Sequence, residues 1–292
     1  MVKRWRGLVV SAAVFLGVAI IIYQGFGPHP AKDEGKGRVA QGGETMPWAQ
    51  ATDFLRAQQR AGTPLLLTSY RAKLPDPILF ERHNIALAAQ ILRGAVVEPG
   101  QTFSLNEHLG ERTLERGFKA GPMYSEGQIV EVIGGGVCKI SSLLYNVVVL
   151  ANLEIVERSA HSMLVPYVPP GQDATLCYGT KDFKLRNTSP DSILIWAENI
   201  DDTLYMALYS NHKGPKVTWF HETLEEIPIW TEYKFDPQLA PGESRVEFEG
   251  YKGITVHSWV VIKEGDGRKE VKDLGISTYQ PAPRIIMVPP SK

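Results

Sequence analysis

The sequence predicts an α+β protein: a mixed helix/sheet catalytic-type domain and a smaller all-β C-terminal module, preceded by one N-terminal transmembrane helix. Three observations predict it. Residues 7–26 form an uncharged, largely apolar run, and two later segments repeat apolar residues at helical spacing. From Trp230 onward, β-prone runs are punctuated by Gly242, Gly250, Gly253, Gly265, Gly267 and Gly275.

Lys3, Arg4 and Arg6 stand ahead of the apolar run. A helix needs about 20 such residues to span a hydrocarbon core, and basic residues ahead of it hold the N-terminus inside. Residues 1–26 are therefore expected to be an uncleaved, single-pass membrane anchor with the N-terminus in the cytoplasm and the bulk of the chain extracytoplasmic. Residues 27–49 mix Gly, Pro, Lys and Glu without period and read as a flexible spacer. Order is expected from Trp48, and residues 50–210 form the first domain.

Within that domain, Ile85, Ala88, Ala89 and Leu92 give a one-sided helix from Arg82 to Arg93 that Gly94 ends. Val96 to Ser104 reads as a turn between short strands, and Gly121 to Ile133 as a hairpin turning at Ser125-Glu126-Gly127-Gln128. After three glycines, Val137, Ile140, Leu144, Val147 and Ala151 make the core stripe of a second helix. Leu153 to Arg158 and Ala174 to Tyr178 read as strands, and Ser192 to Tyr209 as a hairpin. Residues 211–229 are expected to link this domain to the β module at 230–292.

A composition of 43% hydrophobic and 22% charged residues belongs to an ordinary folded protein. The net charge of -1 offers no electrostatic footprint for nucleic acid, so no such partner is expected. No zinc-ligand spacing, phosphate-cradling loop or dinucleotide fingerprint occurs, and neither a metal nor a cofactor is expected. Two cysteines, Cys138 and Cys177, leave a single disulfide open on an oxidising side of the membrane.

Gly134, Gly135 and Gly136 deliver Cys138 to the first turn of the second helix. Glycines permit positive φ and close approach, and a helix N-terminus favours a thiolate. Cys138, Ser142 and Tyr145 share one face, which reads as the polar floor of a cleft. Ser141 and Ser142 are rival nucleophiles, although serines inside helices more often bond back to a carbonyl. Of seven histidines, His161 is the best-placed base because it follows a core strand in a loop ending at Pro166, Pro169 and Pro170. Asp173, Asp182 and Asn187 could orient it, and Asp173 could equally cap a turn. Backbone N–H groups from Gly136 to Cys138 could hold an oxyanion. The expected catalytic set is Cys138, His161 and Asp173, with substrate contacts at Ser141, Ser142, Tyr145, Tyr178 and Asp182.

Several blocks in order resemble the VanW family over about residues 65–205. They include Pro99-Gly100-Gln101-Thr102-Phe103-Ser104-Leu105-Asn106, Ile133-Gly134-Gly135-Gly136-Val137-Cys138-Lys139-Ile140-Ser141-Ser142-Leu143-Leu144-Tyr145-Asn146, and Gly171-Gln172-Asp173-Ala174-Thr175. The resemblance implies a cysteine-dependent L,D-transpeptidase that cross-links peptidoglycan stem peptides. It equally admits a non-catalytic accessory protein binding peptidoglycan or wall polysaccharide in glycopeptide (vancomycin) resistance. His161 matches the family's His-Ser pair. Lys139 stands where glutamine is usual, Ser159 where histidine is common, and Gln172 where arginine is common, which leaves the holder of a substrate carboxylate unassigned. The tail resembles a five-glycine (G5) domain, through Phe235-Asp236-Pro237-Gln238-Leu239, Gly250 with Gly253, and Tyr279-Gln280-Pro281. Such modules imply binding to wall polysaccharide.

Overall fold

Strands dominate the architecture. The structure, a computed structural model, describes residues 38–39, 45–74, 79–125, 128–263, 265 and 267–290. In chain order the elements are β1 (Arg38–Val39), α1 (Thr52–Ala61), β2 (Leu65–Lys73), α2 (Leu79–Leu92), β3 (Ala95–Val97), β4 (Thr102–Ser104), α3 (Leu105–Leu109), β5 (Ala120–Ser125), β6 (Gln128–Ile133) and α4 (Cys138–Leu150). There follow β7 (Glu154–Glu157), β8 (Lys184–Arg186), β9 (Ile193–Ile200), β10 (Thr203–Ser210), β11 (Lys216–Ile227), β12 (Thr231–Phe235), β13 (Arg245–Phe248), β14 (Gly253–Lys263), β15 (Lys269–Tyr279) and β16 (Arg284–Val288).

The expected α+β class is thereby corrected to a mostly β chain with few helices. Helical periodicity is a strong local signal, whereas short strands give little of it, so the two helices outweighed them in the sequence. Residues expected as a linker form β11, whose side chains are largely exposed and show no clean alternation to mark a strand. Ala174 to Tyr178, expected as a strand, keeps only an isolated bridge between Cys177 and Lys181. The expected anchor, residues 1–26, lies outside the described residues, among which no helix is long and apolar enough to cross a membrane.

An antiparallel sheet in the order β1-β2-β10-β9-β3 organises the first part of the chain. The central strands β9 and β10 carry runs buried on both faces, and that explains the unbroken apolar run Ile193 to Ala197. Ile193, Ile195, Ala197, Met206 and Leu208 enter the main core, where α2 packs on β9 and α4 on β2 and β10. Leu194, Trp196, Ala207 and Tyr209 point the other way, into a smaller cluster with Trp48 and Phe54 of α1. Gly62, at φ 65°, stops α1 and caps it through the Gln58 carbonyl.

Downstream, β11-β14-β15 and β12-β16-β13 form two small sheets. The first is not tethered loosely: Val260 and Ile262 of β14 are fully buried in the main core, and Trp219 of β11 meets Tyr145 of α4 edge-on at 5.5 Å. Lys272 donates to the Leu153 carbonyl at 3.0 Å, and the Gln280 N–H to the Ser162 carbonyl at 2.7 Å. These contacts bring the end of β15 beside the loop that carries His161.

Candidate active site

Cys138 opens α4 at the end of a turn that requires its glycines. Gly134 and Gly136 take φ of 80° and 97°, values that a β-carbon disfavours. Gly135 faces Gly121 of β5 so closely that a β-carbon there would lie 2.1 Å from the Gly121 carbonyl oxygen. Buried Asn84 of α2 fixes the turn, donating to the carbonyls of Gly135 and Lys119 at 3.0 and 2.9 Å and accepting the Lys119 N–H at 2.8 Å. Gly135→Ala is expected to cost about 1–3 kcal/mol, read as a lowered thermal midpoint. An unchanged midpoint would show that β5 yields freely.

No side chain caps α4, and the N–H groups of Gly136 and Cys138 meet no backbone acceptor among the described residues. The helix therefore presents its positive end beside the thiol. The half-buried sulfur accepts the Leu176 N–H at 3.4 Å, lies 3.5 Å from the Leu176 carbonyl, and stands near enough to the His161 side chain to be stabilised by it as a thiolate. His161 Nδ1 is 2.7 Å from Asp173 Oδ2, and that oxygen also accepts the His161 backbone N–H at 2.6 Å. With Nδ1 so engaged, Nε2 is the nitrogen left for the thiol.

Asp173 is itself held on all sides, its side chain 1% exposed. Arg158 reaches its carboxylate at 3.2 Å and its carbonyl at 2.8 Å, and the Tyr279 hydroxyl donates to Oδ1. Tyr279 in turn accepts the Gly171 N–H at 2.7 Å, while Arg158 donates to Ser277 Oγ at 2.8 Å. Ser277 and Tyr279 belong to β15, so two elements far apart in sequence close on one carboxylate.

Burial pushes the Cys138 thiol up, but the hydrogen bond and charge of His161, the Leu176 N–H and Lys139 outweigh it and hold the thiol below its ordinary value. Burial pulls His161 down, yet its bonds to Asp173 and Cys138 prevail and raise it to about 9. Burial likewise raises Asp173, and His161, Arg158 and Tyr279 bring it below the usual carboxylate range. The three groups thus favour a thiolate–imidazolium pair backed by a carboxylate.

The other residues expected at the site lie elsewhere. From Lys139 to Leu150, α4 is buried on every side, so the polar stripe through Ser142 and Tyr145 is covered and forms no cleft floor. Ser141 donates to the Ala174 carbonyl at 2.5 Å, and Ser142 donates to the Cys138 carbonyl at 2.9 Å while accepting the Ala174 N–H at 3.0 Å. Both serve to dock the segment carrying Asp173 onto the helix. Tyr145 packs against Phe183 and Trp219 beneath the Arg158 guanidinium. Asp182 is buried, accepting from Ser104 Oγ and the N–H groups of Asn106 and Phe183. Tyr178, 49% exposed, does stand at the surface. Cys138 and Cys177 are both free thiols.

Arg158, Tyr279 and the buried Lys139–Glu81 ion pair beside Cys138 were not singled out in the sequence. Arg158 follows a recognisable strand, but nothing local marks it as a partner of Asp173. Tyr279 lies 106 residues from that aspartate, beyond the reach of any spacing rule. Among the described residues, no group of three or more His, Cys, Asp or Glu is gathered to hold a metal ion.

Residues 81–209 match the family described as VanW like protein, and residues 221–288 match the G5 domain. An uncharacterized protein YoaR of Bacillus subtilis is 43% identical over 129 residues, covering 44% of this chain and 43% of its own length. The vancomycin B-type resistance protein VanW of Enterococcus faecalis is 30% identical over 142 residues, covering 47% of this chain and 51% of its own. The chain thus spans about half the length of these curated relatives. Of solved structures, the G5 domain of IgA1 protease is 28% identical over 28% of this chain and 98% of its own, at a TM-score of 0.19. The HP0197 G5 domain is 24% identical over 25% of this chain and 96% of its own, at 0.15. The chain carries a VanW domain at residues 81–209 and a G5 domain at residues 221–288.

Proposed function

We propose that this chain is a cell-wall-associated cysteine acyl-transferase, an L,D-transpeptidase acting on peptidoglycan stem peptides. The observation that carries the reading is the thiol of Cys138 beside His161, whose Nδ1 is bonded to Asp173, itself fixed by Arg158 and Tyr279. A packed structural cysteine has no need of an imidazole behind it, nor that imidazole of a buried carboxylate. The VanW and G5 matches support a wall substrate, as does the resistance named for the Enterococcus relative.

In the forward step the Cys138 thiolate attacks the carbonyl carbon that joins an L-centre to the terminal D-residue of a donor stem. The oxyanion meets the N–H groups of Gly136 and Cys138. Imidazolium Nε2 of His161 gives its proton to the leaving amine, the C–N bond breaks, and the D-residue departs, leaving a thioester on sulfur. An acceptor amine then attacks the thioester carbonyl, His161 takes the amine's proton, and the thiolate leaves. Asp173 supports the imidazolium throughout.

The purified full chain, incubated with muropeptides, should release the terminal D-residue and form cross-links; released D-residue without cross-links would make it a hydrolase instead. A binding-only accessory is the second reading. Exposed Tyr233 and Phe235 of β12 suit contact with a polymer, and absence of any turnover or acyl adduct would favour it.

The pH dependence has a definite sign. Thiolate forms as pH rises through the Cys138 value, which lies below the ordinary thiol range of about 8.5, and imidazolium is lost as pH rises through about 9. Turnover should rise at a lower pH than an ordinary thiol would give and fall above about 9. A profile that only begins to rise at the ordinary thiol range would contradict the ion pair.

A further inference from the structure

A donor whose last residue is released ends in a carboxylate, and the position where arginine was looked for does not supply a receptor for it. Gln172 is buried, its Oε1 accepting from the Tyr70 hydroxyl at 3.2 Å, away from the thiol. Of the cations around the thiol, Lys139 is paired with Glu81, and Arg158 with Asp173. Arg112 is placed differently. Its Cβ and Cγ lie against Gly134, where a β-carbon would come within 2.6 and 2.8 Å of them, so the side chain leaves directly from the turn that positions Cys138. Its guanidinium reaches over the exposed ring of Tyr178, 5.5 Å from the centroid. Leu176 holds the sulfur, and Tyr178 lies two residues further along, in the turn that the Cys177–Lys181 bridge closes. The guanidinium thus stands over a residue of the same segment that contacts the thiol.

Arg112 is also oriented without being neutralised. One nitrogen, Nη1, donates to Asn106 Oδ1 at 2.8 Å and to the Gly110 carbonyl at 3.0 Å, both uncharged acceptors. Asn106 is in turn fixed by the Lys181 carbonyl at 2.8 Å. No carboxylate lies within ion-pair distance of Arg112 among the described residues, the nearby Asp182 being committed to Ser104, Asn106 and Phe183. A planar guanidinium tethered at one edge and unpaired in charge is built to take a carboxylate on the other.

We propose that Arg112, backed by Tyr178, is the subsite for the C-terminal carboxylate of the donor's terminal D-residue. The inference rests on the acyl-transfer reading and specifies the donor: a stem ending one residue past the scissile bond.

The test compares two synthetic donor tetrapeptides, one with a free C-terminal carboxylate and one with a C-terminal carboxamide, on the full chain and its Arg112→Gln and Arg112→Lys variants. The original protein should favour the free acid by about 10- to 100-fold in kcat/KM. Arg112→Gln should bring that ratio to about one, and Arg112→Lys should keep part of it. Thermal midpoints of the variants report whether the Gly134 packing survives. If the original protein turns over both donors equally, or Arg112→Gln lowers both in the same proportion, the subsite is refuted while acyl transfer stands. Turnover of neither donor refutes acyl transfer itself, and the subsite with it.

Discussion

Cys138→Ala is expected to lower release of the terminal D-residue by at least about 10⁴-fold, because loss of the nucleophile of a relay removes the covalent route altogether. The change is small in structural terms. Sγ gives up one weak contact with the Leu176 N–H and its interaction with the His161 side chain, so the thermal midpoint should move by only a few degrees, about 1 kcal/mol in stability. His161 should fall from about 9, since one of the bonds that raise it is gone. Cys177→Ala is the control, because that thiol is exposed and free and takes no part in the relay. Retained turnover in Cys138→Ala, or its loss in Cys177→Ala with Cys138 intact, would contradict the assignment.

Asp173→Asn carries the second largest effect, a fall of about 10³- to 10⁴-fold. Asparagine keeps the shape but cannot support an imidazolium, so His161 Nδ1 loses its charged acceptor and the thiolate–imidazolium pair its anchor. Arg158 would be left with a buried guanidinium lacking its counter-charge. The single amide oxygen can serve either Tyr279 and Arg158 or the two His161 N–H groups, so one side meets an NH2 donor instead of an acceptor. Breaking a buried pair on one side costs about 3–5 kcal/mol, so thermal unfolding must be read beside activity. An NMR titration of His161 separates the two effects: its value should drop from about 9 toward 6.5. A folded variant with His161 unmoved would show that Asp173 orients nothing.

What could be read from the chain follows the range of each signal. The glycine turn and the helix after it are local, and α4 begins at Cys138 as its sequence suggests. His161 and Asp173 are legible as a histidine and an aspartate in loops on either side of the prolines; the structure sets His161 beside the thiol and bonds Asp173 to His161. What surrounds a helix is not local. Ser142 and Tyr145 have the spacing of an exposed face, yet the 171–176 segment and β11 cover them. Ala174 to Tyr178 alternates like a strand but spends its backbone on Ser159 and Lys181 instead of a neighbouring strand. The balance of strands was misjudged because β11 and β15 expose most of their side chains and so lack a buried face to write into the sequence. Tyr279 was beyond reach for a related reason. Its role depends on β14 burying Val260 and Ile262 in the main core, a packing event that sets β15 against the Asp173 loop.

Mass spectrometry of the full chain, quenched in acid after mixing with a donor tetrapeptide, shows whether an acyl-enzyme forms. Acyl transfer through the thiol requires an adduct on Cys138 equal to the donor less its terminal D-residue, discharged by an acceptor amine and absent from Cys138→Ala. Release of the D-residue with no adduct on Cys138, or an adduct that persists in Cys138→Ala, would contradict it.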